Sequence, residues 1–275
     1  MTFKPQTNSE KLMYCTIRLE DSTGGSGTGF FFNFKINGKI VPTIITNKHV
    51  INYNTNESVK FFLHTTKEMG VPNKDSLEIN FKTTWYFSKD KDLCFCFAGP
   101  IINSLKNSRN EEVFYCGLEK SIIWKNEDLE KLNMIEEVIM VGYPTGLWDK
   151  KNNLPLFRKG ITSSHPAIDF NDKGIGVIDI ACFPGSSGSP IFIQDIGGHF
   201  TKEGTLNLGK ERLILLGILF EGPLLNSKGE IIVEKIPTKN NISSITPIMI
   251  NLGYYIKSSE ILEFEKIIKE KIKKI

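Results

Sequence analysis

Phe183-Pro184-Gly185-Ser186-Ser187-Gly188-Ser189-Pro190 places a serine between small residues on both sides. A loop of that kind lets backbone amides converge on one point. An acyl-transfer site needs this arrangement, a nucleophile beside two N–H donors aimed at a developing oxyanion. Alone, a Ser/Gly loop is mostly an ordinary turn, so the surrounding chain has to decide. It runs straight into Ile191 to Ile193, and beyond that lies the apolar run Leu213 to Phe220. Both read as strands. So do Phe30 to Phe34, Val41 to Thr46, Val59 to Leu63, Leu93 to Phe97, Val138 to Gly142 and Gly176 to Ile180. All are short β-branched, aromatic or aliphatic runs punctuated by Gly, Asn, Asp and Pro. Many short strands without intervening helices predict a sandwich or barrels.

Two segments break the pattern. Lys120 to Asn133 is charged, has no strand period and has room for a short helix before Val138. From Ser259 onward, Ile261, Phe264, Ile268, Ile272 and Ile275 recur at three- and four-residue steps with Glu and Lys between them. That spacing predicts a closing amphipathic helix packed by its apolar stripe. The domain reading is therefore one β-half over residues 1–130, a second over 131–258, and a helix over 259–275.

Composition narrows the function classes. The 275 residues are 40% hydrophobic and 24% charged, with net charge +3, which excludes a disordered chain. Charge this small and this dispersed gives no footprint for nucleic acid. Leu213 to Phe220, the longest apolar run, falls far short of the roughly twenty residues of a membrane span. The N-terminal stretch is polar and reads as no secretory signal. Five cysteines, an odd count without C-x-x-C, predict reduced thiols and a cytoplasmic setting. Cys94 and Cys96 read as small buried hydrophobes on one strand face. The preponderance of Lys over Arg, with abundant Asn and Ile, suggests an A+T-rich bacterial genome. Gly24 to Gly29 lacks G-K-[ST] and does not open a helix, so it reads as a turn into a strand rather than a phosphate loop.

Only four histidines are present: His49, His64, His165 and His199. His49 closes an apolar strand in Ile44-Ile45-Thr46-Asn47-Lys48-His49-Val50-Ile51, whereas His64 reads as part of a strand and the other two read as polar-loop residues. Asp92 directly precedes Leu93-Cys94-Phe95-Cys96-Phe97, where a carboxylate could hold an imidazole in the right tautomer. The chain order His49, Asp92, Ser187 is the chymotrypsin order, unlike that of subtilisin or the α/β-hydrolases.

These residues make the sequence resemble the chymotrypsin/trypsin-like serine peptidases, and most of all the bacterial branch related to HtrA. Further matches are Gly25-Ser26-Gly27-Thr28-Gly29-Phe30, Gly142-Tyr143-Pro144, Arg158-Lys159-Gly160-Ile161-Thr162-Ser163, Asp179 and Ala181 before Pro184-Gly185, and Gly253-Tyr254-Tyr255-Ile256. The resemblance implies an all-β fold of two antiparallel six-stranded β-barrels with the site in the cleft between them. It implies a serine endopeptidase acting on protein or peptide substrates, with no metal or cofactor. His49 would be the general base, Asp92 its orienting partner and Ser187 the nucleophile, with the amides of Gly185 and Ser187 as the oxyanion hole. Ala181 would floor the side-chain pocket and Leu219, Phe220 and Glu221 would wall it, which implies cleavage after small or medium aliphatic residues.

The sequence also departs from the family. Ser186 stands where zymogens carry the Asp that pairs with a freed N-terminus, so activation by cleavage is not expected. Lys48 stands where a small residue is usual, Ser189 replaces a Gly, the family disulfides are not expected from five cysteines, and no PDZ module is expected after the barrel. The alternative is a protease-fold binding or sensor module that is catalytically silent. An unrelated serine esterase fits less well, since its elbow requires Gly at Ser189 and its His after the Ser.

Overall fold

The computed structural model describes residues 3–68, 70–73, 76–144, 147–209, 211–230, 243–249 and 251–273. The expected Ile275 lies outside them. The chain opens with helix α1 (Asn8–Met13), capped reciprocally by Thr7 and Glu10. Strands β1 (Thr16–Glu20), β2 (Ser26–Ile36), β3 (Lys39–Thr46), β4 (Ser58–Thr66), β5 (Ser76–Lys82), β6 (Tyr86–Phe87) and β7 (Cys94–Phe97) follow. They form one sheet in the order β5-β4-β1-β2-β3-β7-β6. Helix α2 (Ala98–Arg109) leads to β8 (Glu112–Phe114), which pairs β4, and β9 (Leu118–Glu119), which pairs β2 in parallel. Short helix α3 (Asn126–Leu129) falls in the charged break.

The second half contains β10 (Glu137–Gly142), β11 (Leu156–Thr162), β12 (Ile175–Asp179), β13 (Pro190–Asp195), β14 (Gly198–Phe200), β15 (Leu206–Leu208), β16 (Arg212–Glu221), β17 (Leu224–Glu230), β18 (Ser243–Met249) and β19 (Leu252–Lys257). Six of these close a barrel in the order β10-β11-β12-β19-β16-β13. β14–β15 and β17–β18 are separate two-stranded ribbons. The fold is thus all-β with a C-terminal helix, α4 (Phe264–Ile272), entered through a 3-10 turn at Ser258–Glu263.

The N-terminal half corrects one expectation. It is a curled nine-stranded sheet, not a closed six-stranded barrel. β6 is only two residues long, and the amide of Trp85 beside it donates to Thr55 at 2.8 Å, away from β5. Apolar contact replaces the missing ladder. Leu77, Ile79 and Phe81 of β5 and Phe87 of β6 pack on one core with fully buried Trp85. Ala98, Ile101 and Leu105 of α2 fill the same core.

β2 is apolar in both registers because it separates two cores. Phe30, Phe32, Phe34 and Ile36 face one, and Phe31 faces the other with Ile17 and Leu19. The first of these cores is shared between the halves. It joins the β2 residues and Phe95 to Val141, Phe192, Leu215, Ile218 and Ile256 of the barrel. Ile261, Phe264 and Ile268 enter it from the C-terminal segment, and the Phe264 ring lies 4.8 Å from that of Phe95. The last helix therefore returns from the barrel to the N-terminal sheet.

A loop after β10 makes a second bridge. Asn153 is fully buried; its Nδ2 donates to the Phe62 carbonyl at 3.1 Å, and its own carbonyl accepts from His64 Nε2 at 3.0 Å. Trp148 packs edge-on against Phe62, and the Arg18 guanidinium lies 3.9 Å from the Trp148 ring centroid.

Candidate active site

Antiparallel pairing of β3 with β7 sets Thr46 opposite Cys94. Continuing two residues past that pair brings Lys48 beside Asp92, so the end of one strand meets the start of its neighbour. A 3-10 turn at His49–Ile51 then turns the imidazole toward the carboxylate. His49 Nδ1 and Asp92 Oδ2 are 2.5 Å apart. The other carboxylate oxygen, Oδ1, accepts the amides of Lys48 at 2.8 Å and His49 at 3.2 Å. Fully buried Asn47 donates from Nδ2 to the Asp92 carbonyl at 2.7 Å. Asp92 is thus fixed through side chain and main chain, and both oxygens have assigned roles. Exposed Asp90 has no such contacts among the described residues. Lys48 extends over the Phe87 ring, its Nζ 5.5 Å from the centroid.

Ser187 comes from the other half, in the turn before β13. Its carbonyl accepts the Thr28 amide of β2 at 2.9 Å, and the Gly188 amide donates to the Leu219 carbonyl at 2.8 Å. Gly188 has φ +85°, and a Cβ there would sit 1.9 Å from the Thr28 carbonyl oxygen, so only glycine fits this crossing. The fully buried Thr28 hydroxyl donates to the Gly185 carbonyl at 3.1 Å and accepts the Tyr143 amide at 3.1 Å. Among the described residues, the amides of Gly185 and Ser187 donate to no protein acceptor, and Ser187 Oγ makes no hydrogen bond to His49.

Of the four expected pocket residues, the structure groups two. Phe220 and Glu221 line a cavity of about 480 Å3 together with Asp92, Phe170 and Tyr254. The pairing of β16 with β19 shifts register between Leu219 and Glu221. Leu219 turns instead into the barrel core with Cys182 and Tyr255. Ala181 lies off that cavity, at the start of the turn to Ser187.

The other histidines have separate partners. His64 holds Asn153, His165 Nδ1 accepts the Ala167 amide at 3.2 Å, and His199, expected in a loop, instead sits in β14 opposite Asn207 of β15, 3.4 Å from its side chain. The sequence reading gave no role to Asn47, Thr28 or Arg158. Asn47 carried a faint signal, a polar residue at the end of an apolar strand. Thr28 and Arg158 lay within family-like stretches but gave no sign of these contacts, which cross between distant segments.

The family model described as a trypsin-like peptidase domain matches residues 27–198, well over half of the sequence. The chain belongs to the trypsin-like peptidase family. The matched span of this peptidase domain begins in β2 and includes His49, Asp92 and Ser187. Among curated proteins none matches the sequence. Solved structures that align over most of its length include two proteases. One is the Rv3671c protease in an inactive form, with TM-score 0.42 and 14% identity over 93% of this chain and 90% of that one. The other is the scabies mite inactivated protease paralogue S-I1, with TM-score 0.47 and 11% identity over 96% of this chain and 97% of that one. Among the described residues of this peptidase domain, no helix is long and apolar enough to cross a membrane.

Proposed function

We propose that the chain is a serine endopeptidase in which Ser187, His49 and Asp92 act together. One observation carries this reading: a 2.5 Å contact between His49 Nδ1 and an Asp92 carboxylate whose second oxygen is held by two backbone amides. That arrangement leaves the other imidazole nitrogen as the base. Ser187 Oγ attacks the scissile carbonyl as its proton passes to His49 Nε2. The amides of Gly185 and Ser187 hold the oxyanion. His49 then protonates the leaving amine, and water, deprotonated by the same imidazole, releases the acyl group. Neither amide has a competing acceptor among the described residues, in keeping with that role.

In this reading the two β-halves form one peptidase domain divided near residue 130, with the helix from residue 259 as its closing strap. The substrates are proteins or peptides, cut after small or medium aliphatic residues, because Ala181, apart from the Phe220–Glu221 cavity and at the start of the turn to Ser187, is uncharged where the pocket floor is expected. Glu221 is exposed and lines the cavity beside Asp92, apart from Ala181. Five unpaired cysteines suit a reducing, cytoplasmic setting.

The test is labelling of purified protein with a fluorophosphonate, followed by peptide hydrolysis. Labelling should vanish in Ser187→Ala, and kcat should fall roughly 10⁶-fold in Ser187→Ala or His49→Ala. An unlabelled wild-type protein that still binds peptides would instead be a silent binding module. A peptide library cut mainly after Arg or Lys would overturn the aliphatic preference.

A further inference from the structure

We propose that Arg158 is a positioning residue that clamps the nucleophile loop into working shape, a role that rests on reading Ser187 as the nucleophile. Arg158 lies in β11 opposite Met140. Its Nη1 donates to the Ala181 carbonyl and its Nη2 to Ser186 Oγ at 2.9 Å. One planar group thereby spans both ends of the segment Ala181 to Ser186. Ser186 is fully buried, and its hydroxyl oxygen also accepts the Phe183 amide at 3.4 Å. The side chain directly before the candidate nucleophile is therefore held by a cation from another strand. Because Gly185 and Ser187 flank Ser186, fixing Ser186 fixes the direction of both candidate oxyanion amides.

The charge arrangement distinguishes Arg158 from the other inward arginines. Arg18 pairs with Glu20, and Arg212 pairs with Glu136 and Asp195. No carboxylate comes within 4 Å of Arg158 among the described residues. Its Nε is buried without a partner, and burial pulls the guanidinium pKa below its usual value. A desolvated cation without a counter-ion costs stability. Among the described residues, all of its side-chain hydrogen bonds go to the loop that carries Ser187, which gives that cost a purpose. The sequence lacks the Asp that would bind a freed N-terminal amine at position 186. Here the cation belongs to the folded strand itself, so the loop is organised without cleavage of the chain.

The experiment compares wild type, Arg158→Met, Arg158→Lys, Ser186→Ala and the Arg158→Met/Ser186→Ala double variant. It reads kcat and KM on one peptide, thermal midpoint, and hydrogen exchange of the amides of residues 183–187. Arg158→Met should lower kcat by about 10²–10³-fold, the loss typical of one oxyanion donor. KM should stay within a few-fold and exchange at 183–187 should quicken. Arg158→Lys should recover only part, because an ammonium cannot reproduce the fork that spans two acceptors. The double variant should be no worse than Arg158→Met, since both changes break one contact. Unchanged kcat and unchanged exchange in Arg158→Met would overturn the clamp. A fall in thermal midpoint with kcat per folded molecule unaltered would overturn it too. If Arg158→Met fails to fold, Ser186→Ala carries the same kcat and exchange comparison. If wild type takes no fluorophosphonate, the peptidase reading fails, and exchange at 183–187 alone then decides whether the clamp exists.

Discussion

Thr28 and Ser187 belong to opposite β-halves, yet the Thr28 amide donates to the Ser187 carbonyl at 2.9 Å. The Thr28 hydroxyl adds a bond to the Gly185 carbonyl and receives one from the Tyr143 amide. Thr28→Val keeps the shape and removes the hydroxyl. It strands the buried Tyr143 N–H, which should cost about 1–3 kcal/mol. Urea unfolding should show the lower midpoint, and Thr28→Ser should restore it. A Thr28→Val midpoint equal to wild type would mean that the crossing is held by the backbone bond alone.

Asp92 and Asp90 offer a controlled comparison two residues apart. Asp92 receives two amides and the imidazole, whereas Asp90 is exposed. Asp92→Asn should lower kcat on the order of 10⁴-fold by disfavouring the working tautomer of His49. Asp90→Asn should stay within a few-fold. The reverse ranking in a peptide assay would identify the wrong carboxylate.

His64 should make the fold acid-sensitive. Burial keeps its imidazole neutral and pushes its pKa down to about 4. Between pH 6.5 and 4 the unfolded chain binds a proton that the folded chain refuses. Stability should therefore fall as pH drops through that window and level off below it. The full contribution is about 3 kcal/mol. Urea midpoints at pH 7 and pH 4.5 would measure this. His64→Gln, which cannot titrate, should show a smaller difference between the two pH values; an unchanged difference would assign the acid sensitivity to other groups.

The C-terminal strap should carry much of the stability of the N-terminal sheet. Phe264→Ala removes a fully buried ring packed on Phe95 and should cost about 3–5 kcal/mol. Exposed Glu270→Ala on the same helix should change stability by less than about 0.5 kcal/mol. Equal thermal midpoints for the two variants would show that the strap is dispensable.

The strands written as apolar runs were legible because each faces a core, and some, such as β2 and β16, face two. The terminal stripe was legible because Ile261, Phe264 and Ile268 meet one surface at helical spacing. α2 was not legible. Gly99 and Pro100 lie in its first turn, where Pro is tolerated but the local signal reads as a turn. The open edge between β5 and β6 was hidden as well, because side-chain packing there replaces hydrogen bonds. The sequence singled out His49 and Asp92 because a polar residue at the end of an apolar strand is conspicuous. Arg158 sat in plain view within a family-like stretch, but its partners lie more than twenty residues away. No local pattern announces a contact of that kind.

The return of the last helix to the N-terminal sheet has a consequence for synthesis. A ribosome that has reached Lys257 has made every strand of both sheets, but it has not yet made Ile261, Phe264 or Ile268. Phe32, Phe34 and Phe95 then wait in an emerging chain for a lid still to be translated. The N-terminal half leaves the tunnel before the barrel, yet its core closes only after the barrel strands are made. A nascent chain stalled before residue 261 should therefore be a preferred client for chaperones that hold exposed aromatic surface.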